Sequence, residues 1–100
     1  MEHVSDGREI IAHRLRITGR VQGVGFRWFA CDAAGRHGVA GWASNEPDGS
    51  VLIEAAAERV EMERFLAALR RGPPAAHVAG VAIERRAGSG PLSTPFRIVR

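Results

Sequence analysis

The residues best suited to chemistry in this chain lie between Gly19 and Arg27, with Asn45 further on. The run Gly19-Arg20-Val21-Gln22-Gly23-Val24-Gly25-Phe26-Arg27 sets three glycines directly before a helical apolar pattern. A glycine-rich loop feeding a helix N-terminus points several N–H groups without intrahelical partners into one small volume. The helix dipole adds partial positive charge at the same point, so the arrangement suits an anion. Gly23 and Gly25 permit positive φ and let the backbone approach a tetrahedral oxyanion closely. Arg27, in the first helical turn, offers a planar fork that bonds two phosphate oxygens at once. The glycine spacing fits neither the Walker loop nor the dinucleotide-binding fingerprint. On composition alone, a plain tight turn and a solvated helix arginine account for the same residues.

The elements that must position these groups follow from periodicity. Residues 1–11 mix charges with Gly7 and read as a flexible arm, with the folded part starting near Ala12. His13 to Thr18 alternates Leu15 and Ile17 against Arg14 and Arg16, the pattern of a half-buried strand. After the loop, Phe26, Phe29, Ala30, Ala33 and Ala34 form one helical stripe, which runs to about His37 and stops at Gly38. A strand at Val39 to Ser44 and another at Ser50 to Ala56 flank Asn45-Glu46-Pro47-Asp48-Gly49, a hairpin turn. Met62, Phe65, Leu66 and Leu69 mark a second helix, acidic at its start and ending in Arg70-Arg71 before Gly72-Pro73-Pro74. Val78 to Arg85 reads as a fourth strand, Arg86 to Thr94 as a polar turn and Phe96 to Arg100 as a short last strand. The order is βαββαβ plus a terminal strand. Right-handed crossovers then predict an α+β, ferredoxin-like sandwich, with both helices on one face of an antiparallel sheet.

The particular words of the sequence carry more than their composition. The run from Gly19 to Arg27, then Gly41-Trp42-Ala43-Ser44-Asn45 and Asp48-Gly49-Ser50-Val51, closely resembles the two signature stretches of the acylphosphatase family. The likeness continues through Arg71-Gly72-Pro73-Pro74 to Phe96-Arg97-Ile98 and so covers residues 12–100, departing at Ala43 and at Ala55-Ala56. The resemblance implies hydrolysis of the carboxyl–phosphate bond of acyl phosphates. It puts the catalytic arginine at Arg27, the water-positioning asparagine at Asn45, and the phosphate-binding loop over Arg20, Val21, Gln22, Gly23, Val24, Gly25 and Phe26.

That chemistry asks little beyond what these residues offer. A carboxylate, whose acid has a pKa of about 4, leaves without a proton. What remains is charge on the phosphoryl oxygens and a water to be held in line, tasks of electrostatics and positioning. Loop amides with Arg27 suit the first, and the Asn45 amide oxygen suits the second without acting as a base. His3, His13, His37 and His77 are scattered and carry no assigned role; Trp42 and Phe29 are expected in the core, and Asp48 as the turn residue before Gly49.

Composition narrows the remaining classes. With 100 residues and 45% hydrophobic content, one modest core is expected. The single cysteine, Cys31, excludes an internal disulfide and any multi-cysteine metal site within one chain. All 14 of the Lys and Arg residues are arginine, which removes lysine Schiff-base chemistry. The net charge of +3 suits small anions without the clustered basic face of a nucleic-acid binder. Two rival readings share the strand order. One is a noncatalytic phosphate- or acyl-phosphate-binding module. The other is an RNA-binding module, which wants exposed aromatics on central strands, and the first strand has none. The expected protein is a cytoplasmic monomer with no metal or cofactor. It takes a small-molecule acyl phosphate as substrate and is inhibited competitively by its product, inorganic phosphate, with no nucleic-acid or membrane partner.

Overall fold

The computed structural model describes residues 7–88 and 90–99. Five strands and two helices follow in the order β1 (Ile10–Arg20), α1 (Phe26–His37), β2 (Ala40–Asn45), β3 (Val51–Glu58), α2 (Arg59–Arg71), β4 (His77–Arg85) and β5 (Arg97–Val99). They form one sheet in the order β4-β1-β3-β2-β5 with two helices packed on it, the ferredoxin-like α+β plan. The sheet is mixed, not purely antiparallel. β1, β3, β4 and β2 pair antiparallel, whereas β5 runs parallel to β2, with Trp42 opposite Arg97 and Ser44 opposite Val99. The polar segment after β4 carries the chain to the far edge of the sheet, so β5 enters in the same direction as β2.

The core lies between sheet and helices. Leu15 and Ile17 of β1 face Val51 and Ile53 of β3, and α2 contributes Met62, Phe65, Leu66 and Leu69. α1 presents Ala30, Ala33 and Ala34, all fully buried, and their small volume lets the helix backbone lie close to its neighbours. Its C-terminus closes on Gly38 in the left-handed conformation, where Val39 N–H donates to Ala34 C=O at 2.9 Å. Phe96 fills the end of the core, edge-on to Phe65 with ring centroids 5.9 Å apart.

Three expectations change. The arm boundary at residue 11 moves, because Ile10 and Ile11 pair with Glu58 and Ala57, and Arg59 N–H donates to Glu9 C=O at 2.8 Å; residues 1–6 lie outside the described residues. β1 also runs past Thr18 to Arg20, so Gly19 and Arg20 are strand and not loop. A register shift between Thr18 and Gly19 lets Gly19 and Arg20 pair with Val78 and His77 of β4. Finally, Trp42 is half-buried, since it stands opposite Glu54 on the face of the sheet that the helices leave uncovered, and Phe29 is half-buried at the margin of the core, against which it packs.

The uncovered face carries its own polar layer. Glu54, buried there, accepts hydrogen bonds from Arg14 Nη1 at 2.9 Å and Arg86 Nε at 3.1 Å. Two arginines on one carboxylate satisfy a charge that would otherwise be costly to bury. Among the described residues, no helix is long and apolar enough to cross a membrane.

Gly19 fixes where the functional loop departs. Its φ is 117°, and a Cβ there would sit 2.1 Å from the His77 carbonyl oxygen of β4. Gly49 also has positive φ, at 92°, but with no atom within 4 Å of such a Cβ. Gly19→Ala is therefore expected to lose on the order of 3 kcal/mol of stability, against about 1 kcal/mol for Gly49→Ala. Equal losses in denaturant melts would contradict the close approach of β4 at this point.

Candidate functional site

The loop between β1 and α1 is held at both ends by buried side chains. Val21 and Phe26 are each 1% exposed, so the five residues Val21 to Gly25 must turn within a short span. Gly23 at φ 76° and Gly25 at φ 79° make that turn in the left-handed region. A Cβ at either position would meet nothing within 4 Å. Glycine is required here by backbone conformation, and the space beside it stays open. Gly25 is the N-cap of α1 and has no side-chain cap; its carbonyl accepts from Phe29 N–H at 3.0 Å. Among the described residues, no N–H of residues 21–25 donates to a backbone carbonyl. The first turn of α1 thus begins at Gly25 with N–H groups that lack an intrahelical partner.

The loop opens on a cavity of ≈ 140 Å³ lined by Val21, Gly23, Gly25 and Phe26, by Arg27 and Trp28 of α1, and by Asn45 at the end of β2. Six of these seven lining residues are among the candidates read from the sequence, Trp28 being the seventh. Arg20, Gln22 and Val24 do not line the cavity. Arg20 is an exposed strand residue opposite His77, Val24 packs against the core, and Gln22 is engaged elsewhere. Trp28, exposed and not singled out in the sequence, does line it. It stands one residue after Arg27 and off the apolar stripe of α1, and that position was the legible signal. Three larger concavities include none of the expected site residues: two, of ≈ 500 and ≈ 610 Å³, lie toward the start of β1, and one, of ≈ 270 Å³, lies between Arg70 and β4.

Arg27 Nη1 donates to the Val99 carbonyl at 3.5 Å. The last strand therefore does more than extend the sheet: lying parallel to β2, it brings a carbonyl oxygen to the guanidinium. A backbone acceptor of this kind leaves no trace in a sequence.

Gln22 ties the loop to the turn beyond Asn45. Its Nε2 donates to Glu46 C=O at 2.8 Å and to Ser50 C=O at 2.9 Å. The turn is closed by Glu46 N–H to Ser50 C=O at 2.9 Å and Gly49 N–H to Glu46 C=O at 3.0 Å. Asp48 Oδ1 accepts from Ser50 N–H at 2.9 Å and from the Ser50 hydroxyl at 2.6 Å. Arg16 Nη1 of β1 in turn donates to Ser50 Oγ at 2.8 Å and reaches Asp48 Oδ2 at 3.4 Å. The Ser50 hydroxyl and amide hydrogen bonds hold the Asp48 carboxyl below the usual carboxylate range. Its contribution to the turn is therefore present above the ordinary carboxylate pKa and fades as pH falls through the lowered one.

The other titratable groups stay apart from the cavity. Burial, with the Arg59 guanidinium adding to it, lowers the His13 pKa. His37 Nδ1 pairs with Glu61 Oε1 at 3.0 Å, joining α1 to α2, and Cys31 Sγ donates to Phe96 C=O at 3.4 Å. Among the described residues, no three His, Cys, Asp or Glu side chains are grouped to hold a metal ion.

The family model described as Acylphosphatase matches residues 13–98. An acylphosphatase from Archaeoglobus fulgidus is 42% identical over 76 residues, 76% of this chain and 85% of the relative. One from Rhizobium etli is 48% identical over 81 residues, 81% of this chain and 84% of the relative. The crystal structure of acylphosphatase from Bacillus subtilis superposes with a TM-score of 0.84 at 32% identity, covering 92% of this chain and 100% of that one.

If Gln22 joins loop and turn, Gln22→Ala removes one of the two donors on each of the Glu46 and Ser50 carbonyls and leaves the loop without its tie to the turn. The expected cost is about 2 kcal/mol in denaturant unfolding, with faster amide exchange at Glu46 and Gly49. Unchanged stability and exchange would show that the two segments hold their places independently.

Proposed function

The chain belongs to the acylphosphatase family, and from that membership we propose that it hydrolyses acyl phosphates to a carboxylate and inorganic phosphate, using the loop amides, Arg27 and Asn45. The observation that carries the reading is one cavity lined jointly by Gly23 and Gly25, by Arg27 and by Asn45, which come from a loop, a helix and a strand end.

The phosphoryl group sits against the loop amides at the α1 N-terminus, where N–H dipoles and helix charge favour its oxygens. Arg27 adds a two-pronged contact that strengthens as charge gathers in the transition state. Asn45 orients water through its amide oxygen and leaves the phosphoryl group to the loop. The acyl carboxylate departs unprotonated, so no general acid is required. The product phosphate occupies the same cradle and inhibits competitively. The reading uses no metal or cofactor and takes the protein as a monomer acting on a small molecule in a cytoplasmic setting.

Three variants and one treatment test these roles with acetyl phosphate as substrate. Arg27→Lys keeps a charge and loses the fork, and is expected to forfeit roughly 2 kcal/mol or more of transition-state stabilisation. Arg27→Ala should also raise the phosphate inhibition constant. Asn45→Ala should lower kcat on the order of a hundredfold while KM and phosphate inhibition stay nearly fixed. Activity should survive exhaustive EDTA. Phosphate binding without turnover in the wild-type protein would instead indicate a noncatalytic module, and loss in EDTA restored by magnesium or zinc would overturn the metal-free mechanism.

A further inference from the structure

We infer that Trp28 is the acyl-recognition surface of this site and that the chain prefers acyl phosphates with flat, apolar acyl groups. The inference rests on the acyl-phosphate reading above and deepens it. Four large apolar side chains are exposed among the described residues: Ile10, Val60, Ile83 and Trp28. Trp28 is the largest and, at 72% exposed, the most open to solvent. It alone of the four lines the cavity shared by Arg27 and Asn45.

Its position follows from helix geometry. Phe26 and Ala30 point into the core, so the residue between Arg27 and Phe29 stands on the outward side of the first turn. There a tryptophan adds nothing to core packing and leaves a large apolar face in water.

The bound substrate gives that face a use. With the phosphoryl oxygens on the amides and Arg27, the acyl group must emerge through the open mouth of the cavity. Val21 and Phe26 also line it but are buried, so the accessible apolar side chain at the mouth is the indole. Among the described residues, no carboxylate side chain lines the cavity and its one cationic side chain is Arg27, which the phosphoryl group engages. A charged acyl group therefore finds no counter-ion there, whereas an aromatic ring gains stacking and apolar burial. A methyl group is too small to profit much from either.

Steady-state kinetics on benzoyl phosphate and acetyl phosphate test this. In Trp28→Ala, the ratio of kcat/KM for benzoyl phosphate to that for acetyl phosphate should fall about tenfold relative to wild type. Trp28→Phe should restore most of that ratio, and the melting temperature of both variants should stay near wild type because the side chain is not packed. An unchanged ratio, or equal losses on both substrates, overturns the assignment of Trp28 while leaving the acylphosphatase reading intact. A wild-type protein that hydrolyses neither substrate overturns both.

Discussion

The side-chain amide of Gln22 spans two carbonyl oxygens, those of Glu46 and Ser50, and the geometry of the site depends on that bridge. The loop proposed to offer amides to an anion and the strand end that carries Asn45 are separate pieces of chain. Each alone is a turn with solvent on one side, the kind of segment that opens easily. One NH2 group donating twice removes their freedom relative to each other. It adds a second donor to each of two carbonyls that already accept from amides of the β2–β3 turn.

The rest of the fold feeds this junction. Arg16 and Asp48 hold Ser50 from the other side, so the turn is fixed to β1 as well as to the loop. Gly19 brings β1 and β4 close enough to determine where the loop leaves the sheet. Val21 and Phe26 sink both loop ends into the core. β5, parallel to β2, supplies the Val99 carbonyl beside Arg27. The residues of the proposed site are thus held by contacts from several elements of the fold, as a positioning mechanism would require.

Much of this was legible in the sequence, for physical reasons. Leu15 and Ile17 alternate because one face of β1 is buried, and Met62, Phe65, Leu66 and Leu69 recur at helical spacing because one stripe of α2 is. The cavity residues Gly23, Gly25, Arg27 and Asn45 stood out by type and by family likeness. What stayed hidden depends on tertiary pairing. The extension of β1 at both ends comes from partners in β3 and β4, and the parallel course of β5 comes from a long connection whose path no local pattern encodes. Gln22 looked like one more loop residue, since its partners are backbone carbonyls of a distant turn. Trp28 was visible only as an apolar residue out of phase with its helix.

The central claim is that the loop before α1 is an anion cradle built from backbone amides and Arg27. It is tested most directly by titrating the isotope-labelled protein with inorganic phosphate and following backbone amide and arginine Nε resonances. The account predicts saturable shifts concentrated on Gly23 to Arg27, with a common dissociation constant, and little change around His37 and Glu61 at the other end of the sheet. Absence of saturable shifts in the loop, or shifts centred on the concavity beside His37, would contradict it.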